Sequence, residues 1–267
     1  AAKGTLGLVP TMGALHEGHL SLVRRARTEN ALVAASIFVN PLQFGAGEDF
    51  DRYPRTEEED LAMLEQEGVD LVLLGQAADL YPDGFATTLR IDGPLGAELE
   101  AARRPGHFDG VATVVAKLLL MFRPARAYFG WKDFQQCCVV RRLVADLSLP
   151  VEVVCCEVVR EDDGLALSSR NRYLSAAARA QAPRIHAALA EARAAAEAGE
   201  RDVERLVALV VERLGPPFEL EYVAVRDERD FAPVDRLDDD GLRPRILCVA
   251  GLEGVRLLDN LPLPGRA

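Results

Sequence analysis

This sequence predicts an α/β fold: an open parallel sheet over residues 1–159, then a smaller α+β domain over residues 160–267. Three observations predict it. Strand-like apolar runs alternate with helical patterns up to about residue 159, with no hairpin turn between them. The run Ala31–Val39 shows no alternation of apolar and polar faces, as befits a strand in the middle of a parallel sheet. Asp162-Asp163-Gly164 then supplies the first hairpin signal, and the pattern changes beyond it.

The elements follow in order. Leu6–Val9 reads as a short buried strand, Pro10 and Gly13 as a turn, and His16-Glu17-Gly18-His19 as the opening of a helix that runs to about Glu29. Strand, tight turn and helix start together present backbone N–H groups and a positive dipole end to an anion. Ala31–Val39 is the second strand, closed by Asn40-Pro41. Thr56 and a capping-box Glu open a helix to about Glu67. Gly68 ends it, and Val69–Leu74 is the third strand. Residues 81–106, rich in Gly and Pro, read as a long loop carrying a short strand, Thr87–Ile91. Asp109–Met121 is helical, Ala127–Phe129 a strand, Lys132–Ala145 a helix, and Val151–Val159 a strand.

In the second domain, Val151–Val159 and Leu165–Leu167 flank the Asp-Gly turn as a hairpin. Ser175 caps an Ala-rich helix interrupted by Pro183. Val203, Leu206, Val207, Val210, Val211 and Leu214 form the apolar stripe of another helix. Phe218–Val225, Arg245–Ala250 and Val255–Leu258 read as strands.

Composition narrows the function. The chain has 267 residues and a net charge of −11, which argues against a nucleic-acid partner. A local cationic pocket for a small anion is compatible with that acidic exterior. No apolar run approaches the roughly 20 residues of a membrane span, and no charged-then-apolar leader precedes the first strand. The chain starts without Met almost at a strand, so we expect sequence missing ahead of it. Five cysteines, an odd number with no C-x-x-C, read as reduced thiols of a cytoplasmic protein.

Ligands of parallel α/β sheets bind past the carboxyl ends of the strands. That rule selects the loops 10–19, 40–55, 75–86, 130–136 and 160–172. His16 and His19 lie three apart at a helix start, on one face. Neutral, they donate hydrogen bonds; charged, they add a cation; both suit phosphate oxygens. Lys132 follows a strand end and reaches phosphate, with Asp133 able to take a ribose hydroxyl, although charged residues also start helices for no functional reason. Ser168, Ser169 and Arg170 make a phosphate clamp or an ordinary loop. Glu57-Glu58-Glu59-Asp60 is either dipole complementation or a Mg²⁺ site. Asn40 and Gln43 either fix a small polar substrate or cap a turn. There is no P-loop and no nucleophile elbow.

Taken together, Pro10-Thr-Met-Gly-Ala-Leu-His16-Glu-Gly-His19, Phe38-Val-Asn-Pro-Leu-Gln43, Tyr53-Pro-Arg-Thr, Arg104-Pro-Gly-His107-Phe, Gly130-Trp-Lys132-Asp133 and Ser168-Ser-Arg-Asn-Arg-Tyr-Leu resemble the pantoate–β-alanine ligases. These belong to the nucleotidylyltransferase superfamily with the His-x-Gly-His motif. The resemblance runs from about residue 6 to Asn260 and implies a Rossmann-like sheet of that type. It also implies ATP-dependent condensation of D-pantoate with β-alanine, through a pantoyl adenylate, with Mg²⁺, in a homodimer. Carried over residue by residue, it gives ATP to Pro10, Met12, His16, His19, Gly130, Lys132, Asp133, Val159, Ser168, Ser169 and Arg170. Of these, His16, His19, Lys132 and Arg170 are the catalytic set. It gives pantoate and β-alanine to Asn40, Gln43, Tyr53, Arg104 and Gln136, and Mg²⁺ to Asp60 with Glu59. The C-terminal domain is expected to act as a lid.

Two positions depart from the family pattern: Trp131 stands where relatives usually have Glu, and the metal helix reads Glu-Glu-Glu-Asp. The rival enzyme reading is another nucleotidylyltransferase with a phosphate-bearing acceptor, which calls for a basic acceptor pocket rather than paired amides. The rival non-enzymatic reading is a nucleotide-sensing module.

Overall fold

The computed structural model describes residues 2–265. The chain packs as two units: one runs to Trp131 and resumes over Gln135–Glu157, and the other takes Lys132–Phe134 and everything from Val158 onward. The division falls just before the boundary expected from sequence. The transfer of residues 132–134 to the second unit has no signal in the sequence.

The first unit alternates as expected. Its strands are β1 (Ala2–Thr11), β2 (Asn30–Ile37), β3 (Leu71–Leu74), β4 (Arg126–Gly130) and β5 (Glu152–Cys156). They form one sheet in the order β3-β2-β1-β4-β5, every pair parallel. Helix α1 (Glu17–Glu29) returns from β1 to β2, and α2 (Glu57–Gln66) precedes β3. Three short helices follow: α3 (Ala77–Leu80), α4 (Pro94–Ala97) and α5 (Glu100–Arg103). Then come α6 (His107–Phe122) and α7 (Phe134–Asp146). The strand order reverses at β1, between β2 and β4, which is where such sheets bind ligands.

Val9, Leu22, Val23, Ala26, Val33, Ala35, Leu64 and Tyr128 form the core beneath α1. Gly7 is required there: a Cβ would stand 2.6 Å from the Asn30 amide nitrogen.

Two local expectations fail. Residues 87–91 form no strand; Leu89 and Ile91 give their N–H groups to Thr113 Oγ1 and Asp109 Oδ1 of α6. Side chains thus take the donors a ladder would have used. Strand β5 is not half of a hairpin either. The Asp-Gly turn instead closes a smaller one, with Leu167 N donating to the Val159 carbonyl at 3.0 Å and a single bridge between Arg160 and Ala166.

The second unit carries α8 (Ala176–Gln181), α9 (Arg184–Glu197), α10 (Val203–Arg213) and the strands β6 (Glu219–Asp227), β7 (Pro244–Leu252) and β8 (Val255–Pro262). Its strands form an antiparallel sheet, β6-β7-β8. Ser175 caps α8 as expected, its Oγ accepting from Ala178 N at 3.2 Å, and Pro183 separates α8 from α9. Ile185, Leu189, Leu206, Val210 and Leu214 of the helices pack with Ile246, Cys248 and Leu257 of the sheet.

Helix α6 reaches the loop after β2 by close approach. A Cβ on Gly110 would lie 2.2 Å from the Leu42 carbonyl oxygen and 2.6 Å from Gln43 N. Gly110→Ala is therefore expected to displace the Pro41–Gln43 turn and cost about 2–3 kcal/mol, as overpacking does. Urea unfolding of the two proteins measures it; an unchanged midpoint would contradict the contact.

Candidate active site

The loop after β1 is the most constrained part of the first unit. Thr11 ends the strand, and its Oγ1 donates to the Ser36 carbonyl on β2 at 2.7 Å while accepting from Gly13 N at 3.2 Å. The chain then turns through two left-handed residues, Gly13 (φ 79°) and Ala14 (φ 50°). The second is a residue with a Cβ, so the turn carries backbone strain.

Asp60 of α2, fully buried, holds this turn. Its Oδ2 accepts from Ala14 N and its Oδ1 from Leu15 N, each at 2.8 Å, and Thr56 Oγ1 adds a bond at 3.2 Å. A Cβ on Gly13 would come 2.9 Å from Oδ2, a second reason for glycine there.

The amides of Ala14 and Leu15 are thus taken by Asp60, which has no exposed surface and both oxygens engaged within the fold. Thr56 spends its hydroxyl on Asp60 and caps no backbone N–H of α2. Glu59, the other expected ligand, is exposed on the same helix.

Helix α1 begins with an unusual capping box made by two histidines. His16 Nδ1 accepts from Gly18 N at 3.1 Å, and His19 Nδ1 accepts from His16 N at 3.3 Å. The rings lie 4.2 Å apart. A nitrogen that accepts carries no proton, so each ring is neutral with its proton on Nε2. Capping thus selects the neutral state of the two the sequence left open, with Nε2–H as each ring's donor.

Past β2, the residues read as substrate contacts form a hydrogen-bonded cluster. Asn40 Oδ1 accepts from Leu42 N (3.3 Å) and the Tyr81 hydroxyl (2.7 Å), while Nδ2 donates to Gln43 Oε1 (3.0 Å) and the Gly110 carbonyl (3.1 Å). Those four bonds fill a carboxamide's capacity. Asn40 thereby braces the turn after β2. Gln43 Nε2 lies 3.0 Å from Met12 Sδ, joining the ends of β1 and β2. Tyr53, also buried, packs its ring against Phe44.

The Gln43 backbone is held from the far side of its peptide. Its carbonyl accepts from His107 Nδ1 at 2.8 Å and Arg104 Nη2 at 3.3 Å. Arg104 is otherwise bound to Glu48 (2.6 Å), Glu100 (3.5 Å) and His107 Nε2 (3.1 Å), so its guanidinium also supports the Gln43 backbone. Burial lowers the His107 pKa to about 4, with Arg104 adding to the effect. Burial would raise the Glu48 carboxyl, but hydrogen bonding to Arg104 outweighs it and holds it below the usual range. Burial pushes the Tyr81 hydroxyl up to about 12, leaving it a donor at any working pH. Tyr81 and Glu48 were not identified from sequence as parts of this cluster; His107 was named only within the motif Arg104-Pro-Gly-His107-Phe, with no role of its own.

At the other end of the sheet's switch point, β4 closes with Gly130, whose carbonyl lies 3.2 Å from Cys137 Sγ. Trp131 is buried and Gln136 partly exposed in the first turn of α7.

In the second unit, Lys132 Nζ lies 3.4 Å from Asp133 Oδ1. Ser168 Oγ accepts from Arg170 N at 3.3 Å, opening the 3-10 turn Ser169–Tyr173. Val159, just ahead, accepts from Leu167. Arg160 grips Asp259 of β8 with two bonds, at 2.6 and 2.7 Å, and so ties the hairpin to the sheet.

A parallel 3-2-1-4-5 sheet, with polar residues clustered past β1 and β2 at the switch point, defines a Rossmann-type nucleotide-binding α/β protein. More narrowly, the chain belongs to the pantoate-beta-alanine ligase family, whose model matches residues 1–262. It is 52% identical to the pantothenate synthetase of Cereibacter sphaeroides over 98% of this chain and 93% of that protein. The crystal structure of pantothenate synthetase from Thermus thermophilus superposes with a TM-score of 0.93 at 50% identity, covering 97% of this chain and 94% of that one. A pantoate-beta-alanine ligase from Francisella tularensis, complexed with β-γ ATP and β-alanine, matches with a TM-score of 0.78 at 33% identity, over 97% and 89% of the two chains. The chain is accordingly an ATP-dependent ligase that condenses pantoate with β-alanine to give pantothenate.

Two outcomes follow from the geometry. Asp60→Asn sets an amide N–H against a backbone N–H and removes the charge from bonds worth roughly 1.5–3 kcal/mol each. It should lower stability by roughly 2 kcal/mol in urea unfolding, whereas a carboxylate kept only for metal would leave stability unchanged. The second outcome concerns His107, whose folded pKa lies near 4, against about 6.5 unfolded. The unfolded chain binds the proton first, so stability is full above pH 6.5 and falls as pH drops toward 4. The shift amounts to about 2 kcal/mol lost between pH 7 and pH 5. His107→Gln should flatten that part of the stability profile, and an equally steep profile in the variant would assign the loss elsewhere.

Proposed function

We propose that the ligase works by adenylation. Pantoate's carboxylate oxygen attacks the α-phosphorus of ATP; the bond to the bridging oxygen breaks and pyrophosphate leaves. The β-alanine amine then attacks the acyl carbon, loses a proton, and AMP departs with the shared oxygen. A carboxylate is already nucleophilic at neutral pH, so the first step calls for positioning and charge stabilisation rather than a base. The observation that carries this reading is the pair of histidines fixed as neutral Nε2–H donors at the start of α1.

In the first unit, His16 and His19 bond phosphate oxygens, with the Pro10 and Met12 backbone and Gly130 beside the nucleotide. Gln43, Gln136 and Tyr53 orient pantoate and β-alanine, while Asn40 and Arg104 hold Gln43 in place. In the second unit, Lys132 and Arg170 supply positive charge, Ser168 and Ser169 hydrogen bonds, Asp133 a ribose contact, and Val159 a contact to the nucleotide. When bound, Mg²⁺ supplies further neutralisation of the phosphates. Glu59 keeps the exposed carboxylate suited to it, since Mg²⁺ takes one or two carboxylates and completes its shell with phosphate and water.

The active form is a homodimer in the cytoplasm. Parallel strands are normally covered on both faces, and exposed Leu71 and Leu74 on the edge strand β3 support a further partner surface. None of the five cysteines is in a disulfide, in keeping with a reducing compartment.

Pyrophosphate release from ATP should require D-pantoate and precede any AMP formation, which should in turn require β-alanine. Release independent of pantoate would overturn the adenylation order. Lys132→Ala should slow pantoate-dependent release about 10²-fold with the thermal midpoint retained.

A further inference from the structure

Lys132, Asp133 and Phe134 follow β4 directly, yet they pack with the second unit. Strand β8 holds them there. Asn260, 2% exposed, donates from Nδ2 to the Lys132 carbonyl at 3.1 Å. Its Oδ1 accepts from Arg245 Nη1 at 2.7 Å. That donor settles which way the carboxamide faces: oxygen toward the guanidinium, N–H toward Lys132. Arg245 is itself buried and paired with Glu228 at 2.9 Å, and its guanidinium lies over the Phe134 ring at 6.0 Å. Phe231 packs on the same ring, centroids 6.0 Å apart. Asn260 is fixed in turn through its own backbone, whose carbonyl accepts from Arg160 at 3.3 Å. The Ser169–Tyr173 turn also lies against β8.

We propose that Asn260 is a positioning residue for Lys132. By pinning the 132–133 peptide, it fixes the direction in which the Lys132 ammonium leaves the backbone. Strand β8 then mounts Lys132 and the Ser168–Arg170 turn as one phosphate-binding piece. The proposal rests on the reading of Lys132 as a phosphate contact in adenylation. Without the Asn260 donor the peptide turns more freely, and the ammonium spends less time where phosphate charge develops, a misplacement of the kind that costs orders of magnitude in rate.

Asn260→Asp keeps an acceptor for Arg245 and removes the donor. Pantoate-dependent pyrophosphate release in a single turnover, measured for the full chain, should slow about tenfold, with the KM for pantoate within about twofold of wild type. Asn260→Ser, which restores a small donor, should recover part of the rate and serves as the test should the Asp variant fail to fold. In a Lys132→Ala background, Asn260→Asp should add less than about a twofold effect, because a residue acting through Lys132 loses its influence with it. The same tenfold loss in that background, or a folded Asn260→Asp enzyme with the wild-type rate, would overturn the proposal. A Lys132→Ala enzyme as fast as wild type would remove the underlying reading and this proposal together. A slow Lys132→Ala enzyme with no Asn260 effect would remove this proposal alone.

Discussion

The first unit's site depends on one buried carboxylate. Asp60 has no solvent and no cationic partner among its described contacts; two backbone N–H groups and a hydroxyl satisfy it instead. An ionised carboxylate out of water is costly unless hydrogen bonds replace its hydration. The donors that replace it belong to the left-handed turn at Gly13 and Ala14, a conformation the backbone would not choose unaided. Each compensates the other: the turn supplies donors the carboxylate needs, and the carboxylate holds a turn that would otherwise relax. His16 follows immediately, so the placement of the two histidines inherits the rigidity of this bond pair.

The second constraint is how buried polar groups are shared out behind Gln43. Asn40 is saturated by four bonds, and Arg104, His107 and Glu48 satisfy one another around the Gln43 carbonyl. A half-satisfied cluster would be unstable in a low-dielectric interior; a complete one defines a single geometry. Residues that look catalytic by type thus also form a scaffold, and that scaffold holds the Gln43 backbone in one place.

Much of the fold was legible because apolar periodicity is local. Alternating strands and helices, the Gly68 stop, the Ser175 cap and the Pro183 break all depend on neighbours in sequence. The Thr87–Ile91 segment was misread because its N–H groups go to Thr113 and Asp109, distant side chains that no local pattern reveals. The site shows the same division. Motifs singled out His16, His19, Gln43, Lys132 and the Ser168–Arg170 turn as candidates. Motifs did not show that Asp60 faces the β1 turn, that Asn40 faces inward, or that Lys132–Phe134 pack with β8, since each depends on a bond spanning tens of residues or more.

The histidine capping box has a consequence for charge. With both Nδ1 atoms accepting backbone N–H groups, His16 and His19 bring hydrogen bonds but no net charge. In the first unit Arg104 is neutralised by Glu48 and Glu100. Of the residues assigned to phosphate, Lys132 and Arg170 are therefore the cations, and both belong to the second unit. Neutral donors shape a phosphate site, but stabilising charge that grows as pyrophosphate departs requires cations whose positions are fixed beforehand. The packing of three residues from the middle of the first unit's sequence against β8 then has a reason. It puts Lys132 on the same support as Arg170, so the two cations that the proposed adenylation calls for are carried by one body.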